Sequence, residues 1–188
     1  MATVAIEQNK RLHPHKFTLW VAIASILMMF GGLTSAYIVK RNQANWQTFN
    51  LPIAFWISTV VVVVSSLTMI LALRSFKERE MSRYRMLMIG TLILGVVFIA
   101  LQFVGFQQLW KNGITLQGNV SYSFLYIIVG LHALHVFGGV IALIVMSLLA
   151  FSSKKRIYSA IPLEIMSTYW HFVDILWLYL LLFLLLIK

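Results

Sequence analysis

Apolar residues are gathered into five long runs, separated by short stretches that are polar or charged. Each run reaches the ~20 residues that a helix needs to cross the hydrocarbon core of a bilayer. The first run is too long for the core of a cleaved signal peptide, so it is predicted to remain as a span. The pattern therefore predicts an all-α integral membrane protein, a single domain over residues 1–188, with five transmembrane helices at about 17–39, 52–73, 86–106, 121–151 and 163–187.

Lysine and arginine are distributed unequally between the polar stretches. The N-terminal segment and the stretches 74–85 and 152–162 hold 11 of the 15 basic residues. Loops that stay in the cytoplasm are the ones enriched in lysine and arginine. The N-terminus is therefore predicted to be cytoplasmic, and the C-terminal Lys188 is predicted to lie outside.

The composition agrees with an integral membrane protein and argues against several other classes of protein. Hydrophobic residues make up 61% of the chain and charged residues 11%, which is more apolar surface than a soluble domain of this size could cover. The net charge of +10 is attributed to topology signals and headgroup contacts, and no nucleic-acid partner is expected. The chain has no cysteine, which excludes disulfides, thiolate metal sites and iron–sulfur clusters.

The last apolar run carries a polar stripe. Glu164, Ser167, His171 and Asp174 follow one another at offsets of 0, 3, 7 and 10, so a helix presents them on one face. Such a stripe must face protein, water or a lipid headgroup, because hydrocarbon does not solvate it. Two interpretations of Glu164 stay open: a carboxylate favoured by the helix dipole, or a contact to a lipid headgroup or a partner subunit.

The fourth run also carries polar residues. His132, His135 and Gly139 fall at i, i+3 and i+7, and His135 lies about halfway across, at a depth similar to that of Asp174. The two stripes are predicted to face each other, with Asp174 hydrogen-bonded to His135 or His132. Such groups often serve only as interhelical hydrogen bonds. Metal or haem ligation is the sharper alternative, but a diiron bundle needs about four carboxylates, and this membrane region offers Asp174 and Glu164 alone.

Two histidines, His13 and His15, flank Pro14 ahead of the first run. They either belong to a solvated basic tail or buffer protons at an uptake entrance, since an unperturbed imidazole titrates near pH ~6.5. Two other functions of the chain are kept as alternatives: a small proton-coupled membrane carrier and a haem-binding electron-transfer subunit. The pattern gives the carrier little support, because the sequence shows no repeated halves and no pair of proline-broken helices.

Two segments resemble subunit III of the haem–copper respiratory oxidases, and they occur in that family's order: GLHALHVFGG at 130–139 and EIMSTYWHFVDILWL at 164–178. The predicted helix count is similar to the five-helix form of that subunit, over about residues 15–187. The first helix departs from the family. Many members carry a membrane glutamate where this chain has Ser25, so a proton-conducting role of that glutamate is not transferred.

The resemblance implies two helical bundles around a V-shaped, lipid-filled cleft. It implies no catalytic residue and no haem, copper or other metal in this subunit, because haem and copper belong to partner subunits. The implied role is to pack on subunit I beside other oxidase subunits, bind phospholipid, and support proton uptake and active-site stability.

The same resemblance suggests the setting of the protein, which is the cytoplasmic (inner) membrane of a bacterium. Cytochrome c is favoured over quinol as the electron donor of the complex, and membership in a respiratory supercomplex stays open. The residues expected to bind lipid or to form a buried polar cluster are His132, His135, Glu164, Trp170, His171 and Asp174.

Overall fold

The computed structural model describes residues 14–42, 46–151 and 160–187. Within these residues the chain forms five helices, all long and apolar enough to cross a membrane, which confirms the predicted all-helical class. They are α1 (Pro14–Lys40), α2 (Ile53–Lys77), α3 (Met81–Lys111), α4 (Val120–Phe151) and α5 (Ile161–Leu186).

Two of the helices extend beyond the apolar runs that predicted them. The apolar pattern places a charged loop at 74–85, but α2 continues to Lys77 and α3 begins at Met81. A helix keeps its backbone hydrogen bonds after it leaves the hydrocarbon, whereas the apolar run stops at the membrane boundary. An ion pair one turn apart, from Arg74 Nε to Glu78 Oε1 at 2.9 Å, supports the end of α2.

The central helix of the bundle is α5, which packs against α1, α2 and α4. α2 and α3 form the most extensive pair, and α3 also packs on α4. Among the described residues, α1 packs against α4 and α5 and stands apart from α2 and α3. α5 therefore separates α1 from α2, and the side of α5 between them is the floor of a groove.

Glycine allows aromatic side chains to fill the centre of the bundle. A Cβ added to Gly95 would lie 2.8 Å from Cη2 of Trp170, and one added to Gly139 would lie 3.1 Å from Cζ3 of the same indole. α3 and α4 can approach α5 at this ring because they carry no side chain there. A Cβ at Gly105 would likewise overlap the ring of Phe55, which is fully buried.

Candidate functional site

The polar side of α5 packs on the hydroxyl side chains of α2. Three hydrogen bonds cross this interface: Trp170 Nε1 to Ser65 Oγ at 3.0 Å, Trp177 Nε1 to Thr59 Oγ1 at 3.0 Å, and Ser66 Oγ with His171 Nδ1 at 2.7 Å. Serine and threonine commonly join transmembrane helices in this way, because hydrocarbon leaves a polar group no other partner. The stripe of α5 therefore finds its main partner on α2.

Asp174 is buried at the same interface, with 4% of its surface exposed. The Ser66 hydroxyl faces its carboxyl as well as the His171 ring. Asp174 Oδ2 has no hydrogen-bond partner within the described part of the chain. Ser66 thus connects a half-buried imidazole to a buried carboxyl, and these three side chains form the most polar part of the interface.

The predicted bond between Asp174 and a histidine of α4 is wrong. His132 is fully buried, and neither of its ring nitrogens has a partner among the described residues. Its ring stacks on Trp177 with centroids 5.2 Å apart and meets Phe98 edge-on at 6.0 Å. His132 is therefore held by aromatic packing alone.

The second histidine of α4, His135, is also separate from the carboxyl. Its Nδ1 lies 2.7 Å from the carbonyl oxygen of Leu131 in its own helix, and its ring packs edge-on against Phe30. The Tyr169 hydroxyl donates to the His135 carbonyl at 3.0 Å. Tyr169 marks the side of α5 that meets α4, and the five residues from there to Asp174 turn the helix by ~140°. The depth of a residue in the membrane does not fix the rotation of its helix about the helix axis. The rotation of α5 points Asp174 away from α4.

The hydroxyl groups of α2 belong to the site but are not among the residues predicted for it. Ser58, Thr59, Ser65 and Ser66 occur as two pairs seven residues apart, which places them on one side of the helix. Besides the bonds to α5, Ser58 Oγ accepts from Gln102 Nε2 of α3 at 3.1 Å. The signal was present in the sequence, since these hydroxyl groups interrupt an otherwise apolar run.

Glu164 sits between two lysines at the end of the bundle that carries the N-terminal end of α1. Its Oε2 lies 2.9 Å from Lys16 Nζ, and its Oε1 lies 3.1 Å from Lys77 Nζ. Because the three residues belong to α5, α1 and α2, the ion cluster Lys16–Glu164–Lys77 bridges the walls of the groove and its floor. Glu164 therefore joins three helices, in addition to its favourable position at the N-terminal end of α5.

Two cavities lie beside α1: the first is lined by residues of α1, α2 and α5, and the second by residues of α1 and α5. The cavity of about 370 Å³ next to the ion cluster is lined by the cluster itself and by Trp20, Thr168 and His171. The second cavity, of about 460 Å³, is lined almost entirely by apolar side chains: Leu27, Phe30, Phe172, Ile175 and Leu176, with Gly31 and Tyr179. His171 lines the first cavity and Phe172 the second, so α5 contributes polar side chains to one cavity and mainly apolar side chains to the other.

The remaining predicted residues lie elsewhere. His15 is exposed in the first turn of α1, near the ion cluster, and His13 lies outside the described residues. Within the residues that the structure describes, no group of three histidine, aspartate or glutamate side chains could hold a metal ion.

Comparison with known proteins places this architecture in one family. The family model described as cytochrome c oxidase subunit III matches residues 16–187. The probable cytochrome c oxidase subunit 3 of Nocardia farcinica is 34% identical over 162 residues, which is 83% of this chain and 79% of the relative. The cytochrome c oxidase subunit 3 of Bacillus sp. strain PS3 is 25% identical over 93% of this chain and 87% of its own length. A probable quinol oxidase subunit 3 of Staphylococcus haemolyticus is 25% identical over 88% of this chain and 85% of its own length.

Proposed function

Because the chain belongs to the cytochrome c oxidase subunit III family, and is thus subunit III of a haem–copper terminal oxidase in aerobic respiration, we propose that it is a non-catalytic subunit. It packs on subunit I, holds phospholipid, and supports proton uptake and the stability of the active site in subunit I. The observation that carries this proposal is the pair of cavities beside α1, one lined by the ion cluster and the other by mainly apolar side chains of α1 and α5.

The groove is our candidate for the lipid-filled cleft of the family. At its charged end α1 forms one wall, α2 forms the other, and α5 forms the floor. The charged end suits the headgroup region of a bilayer, and the apolar part suits acyl chains. We place the N-terminus and the ion cluster on the cytoplasmic side of a bacterial cytoplasmic membrane, because the basic residues cluster there.

The electron donor of the complex is proposed to be cytochrome c. Relatives named as cytochrome c oxidase subunit 3 include those of Nocardia farcinica and Corynebacterium diphtheriae, at 34% and 30% identity. A relative named as a probable quinol oxidase subunit 3 is 25% identical, as is the cytochrome c oxidase subunit 3 of Bacillus sp. strain PS3. Oxygen consumption by the intact complex with reduced cytochrome c or with quinol decides between the two donors.

Support of proton uptake is proposed to involve the N-terminal histidines. His15 is exposed near the ion cluster, which is where an imidazole could exchange protons with water. Replacing both histidines, His13→Gln with His15→Gln, is expected to change the pH profile of oxidase turnover. An unchanged profile would assign the two residues to a solvated tail.

The supporting role is tested by removing the subunit from its complex. The oxidase purified without this chain is expected to keep its haem spectrum, because the haem ligands belong to other subunits. It is expected to lose activity within fewer turnovers than the complete complex, and adding the purified chain back should restore the lifetime. Equal lifetimes with and without the chain would contradict the proposal.

A further inference from the structure

Three side chains with exchangeable protons meet where α5 packs on α2. Ser66 Oγ lies 2.7 Å from His171 Nδ1, and the same hydroxyl faces the carboxyl of Asp174. We propose that Ser66, His171 and Asp174 form a proton-binding site inside the membrane, which exchanges its proton with water in the cavity beside the ion cluster. The use of this site by the complex rests on the proposed support of proton uptake.

The surroundings of Asp174 favour a carboxyl that holds its proton. Only 4% of the residue is exposed, and Oδ2 has no hydrogen-bond partner in the described part of the chain. An ionised carboxylate accepts hydrogen bonds at both oxygens, and a buried one needs a nearby cation or several donors. The nearest basic side chain on α2, Arg74, lies eight residues beyond Ser66, which is ~12 Å along the helix. Asp174 is therefore the group that stores the proton.

The Ser66 hydroxyl has one proton, so it links the protonation states of its two neighbours. When it donates to His171 Nδ1, its oxygen accepts the proton of the Asp174 carboxyl. Release breaks the O–H bond of Asp174 and passes that proton to Ser66 Oγ, while the proton of the hydroxyl moves to Nδ1. The products are a carboxylate and an imidazolium, and the imidazolium then loses its Nε2 proton to water. Uptake runs through the same steps in reverse.

His171 connects the site to water. Its side chain is half-buried and lines the cavity of about 370 Å³, together with Ser167, Thr168 and the ion cluster. The polar lining and the volume suit several water molecules, since one water occupies ~30 Å³ in the liquid. The lysines of the cluster are 42% and 54% exposed, so this end of the cavity is open. The imidazole can therefore exchange protons with water while Asp174 remains buried.

Other titratable groups on the helices packed around the carboxyl bond elsewhere. On α4, His132 stacks on an indole and His135 bonds its own helix. On α5, the hydroxyls of Tyr169 and Tyr179 donate to α4 and α1, and Glu164 lies ten residues away in the ion cluster, ~15 Å along the helix. The apolar runs of α1, α2 and α3 contain no acidic, basic or histidine residue. The proton of Asp174 is thus shared with His171 alone, through Ser66.

The stored proton can be observed directly, because Asp174 is the only aspartate in the chain. The full-length chain is synthesised in a cell-free system with aspartate whose side-chain carboxyl carries a heavy carbon isotope, and is placed in lipid nanodiscs. The infrared spectrum at neutral pH is expected to contain the isotope-shifted C=O stretch of a protonated carboxyl group. An ionised carboxyl at neutral pH in the folded wild-type chain would overturn the inference.

The path is tested by the rate at which this proton exchanges after transfer to heavy water, measured by time-resolved infrared spectroscopy of the same band. A positioned group speeds proton transfer by about 100-fold or more, so Ser66→Ala should slow the exchange by about that factor. His171→Phe should slow it to a similar extent, and the double variant should be no slower, because the two groups act in series.

The matched control is Ser65→Ala, which removes the neighbouring hydroxyl of α2 that bonds Trp170. Loosening of the interface admits water, so this variant should exchange at the wild-type rate or faster. A general loss of packing therefore changes the rate in the opposite direction from loss of the path. A wild-type rate in Ser66→Ala, or equal slowing in Ser65→Ala, would refute the path.

The outcome is separable from that of the proposed function. If Asp174 is ionised or exchanges without Ser66, yet removal of the subunit still shortens the working life of the oxidase, the proton site is wrong and the supporting role stands. If the proton exchanges through Ser66 but oxidase lifetime does not depend on the subunit, the site stands and the supporting role fails.

Discussion

Individual side chains in this bundle are used in two different ways. Trp170 and Trp177 each bury a large ring and place the indole N–H on a hydroxyl of α2. His132 instead buries a polar ring with no hydrogen-bond partner in the described residues. Interhelical hydrogen bonds in membranes are worth only ~0.6 kcal/mol on average. Packing of the rings is therefore the larger contribution of the indoles, and for His132 it is the only one seen.

Replacement of His132 by phenylalanine should be tolerated. The change His132→Phe keeps a ring against Trp177 and Phe98 and removes two unpartnered nitrogens, so the free energy of unfolding should stay equal or rise by about 1 kcal/mol. Ser65→Ala is the contrasting variant, because it leaves the buried Trp170 N–H without its partner and should cost about 1–3 kcal/mol. Unfolding in mixed detergent micelles measures both values. A loss of several kcal/mol in His132→Phe would reveal a partner for this imidazole.

Alanine at Gly105 should destabilise the bundle. The new Cβ would overlap the Phe55 ring, which is fully buried and packs edge-on against Phe106 and Trp177. Overpacking of this kind costs about 1–3 kcal/mol. In the control, Gly90→Ala on the same helix, the Cβ meets no atom within 4 Å, so helix propensity should make it neutral or stabilising by up to ~1 kcal/mol. Equal effects of the two variants on the unfolding free energy would contradict this packing.

At the scale of helices, the connections follow backbone chemistry that hydropathy does not register. α2 ends at Lys77, and Arg79 in the following turn lies in the left-handed region at φ 65°. The N–H groups of Arg79 and Glu80 donate to the carbonyl oxygens of Phe76 and Ser75. α3 ends in the same pattern with Gly113 at φ 77°. Both are Schellman-type helix ends, in which glycine is the usual left-handed residue. The turn after α2 therefore contains a residue that is unfavourable for its conformation.

Exchanging the residue types at these two ends should have opposite effects. Arg79→Gly relieves a left-handed arginine and should raise the unfolding free energy by about 0.5–1 kcal/mol, after allowing for the greater flexibility of glycine in the unfolded chain. Gly113→Ala introduces the same strain at an otherwise open position and should cost about 1 kcal/mol. Thermal unfolding of the two variants in detergent is the measurement. Changes of the same sign in both would show that the backbone conformation is not the cause.

At the scale of the whole molecule, α5 organises the bundle and the groove. It packs against α1, α2 and α4, and it lies between α1 and α2, which do not pack against each other. α1 is the least buried of the five spans, with 17% of its most apolar stretch inside the bundle, against 50% for α5. The exposed surface of α1 is suited to packing on a larger partner. The buried helix α5 holds α1 and α2 in their relative positions.

The orientation in the membrane can be tested without interference, because the chain has no cysteine. Glu78→Cys lies in the turn between α2 and α3, and Leu116→Cys lies between α3 and α4. With a cytoplasmic N-terminus, a membrane-impermeant maleimide should label Leu116→Cys in intact cells or spheroplasts and Glu78→Cys only after permeabilisation. The opposite labelling pattern would reverse the proposed topology and move the ion cluster to the outer surface.

Residue patterns are enough to predict the properties that the membrane imposes on each helix separately. Apolar length gave the number of spans, and the residue patterns at 130–139 and 164–178 gave the family. Helix periodicity also placed Glu164, His171 and Asp174 on one side of α5, since the period is a property of the helix alone.

The neighbour that each side of a helix meets is seen in the packed bundle and is not predicted by the residue pattern. The rotation and tilt of packed helices are set by the shapes of their contacting surfaces, such as Gly95 and Gly139 against Trp170. That rotation turned Asp174 toward Ser66 of α2 and left His132 among aromatic rings. Hydropathy shows that the polar stripes must avoid hydrocarbon, but it does not show which stripe meets which, because α2, α4 and α5 all carry polar residues.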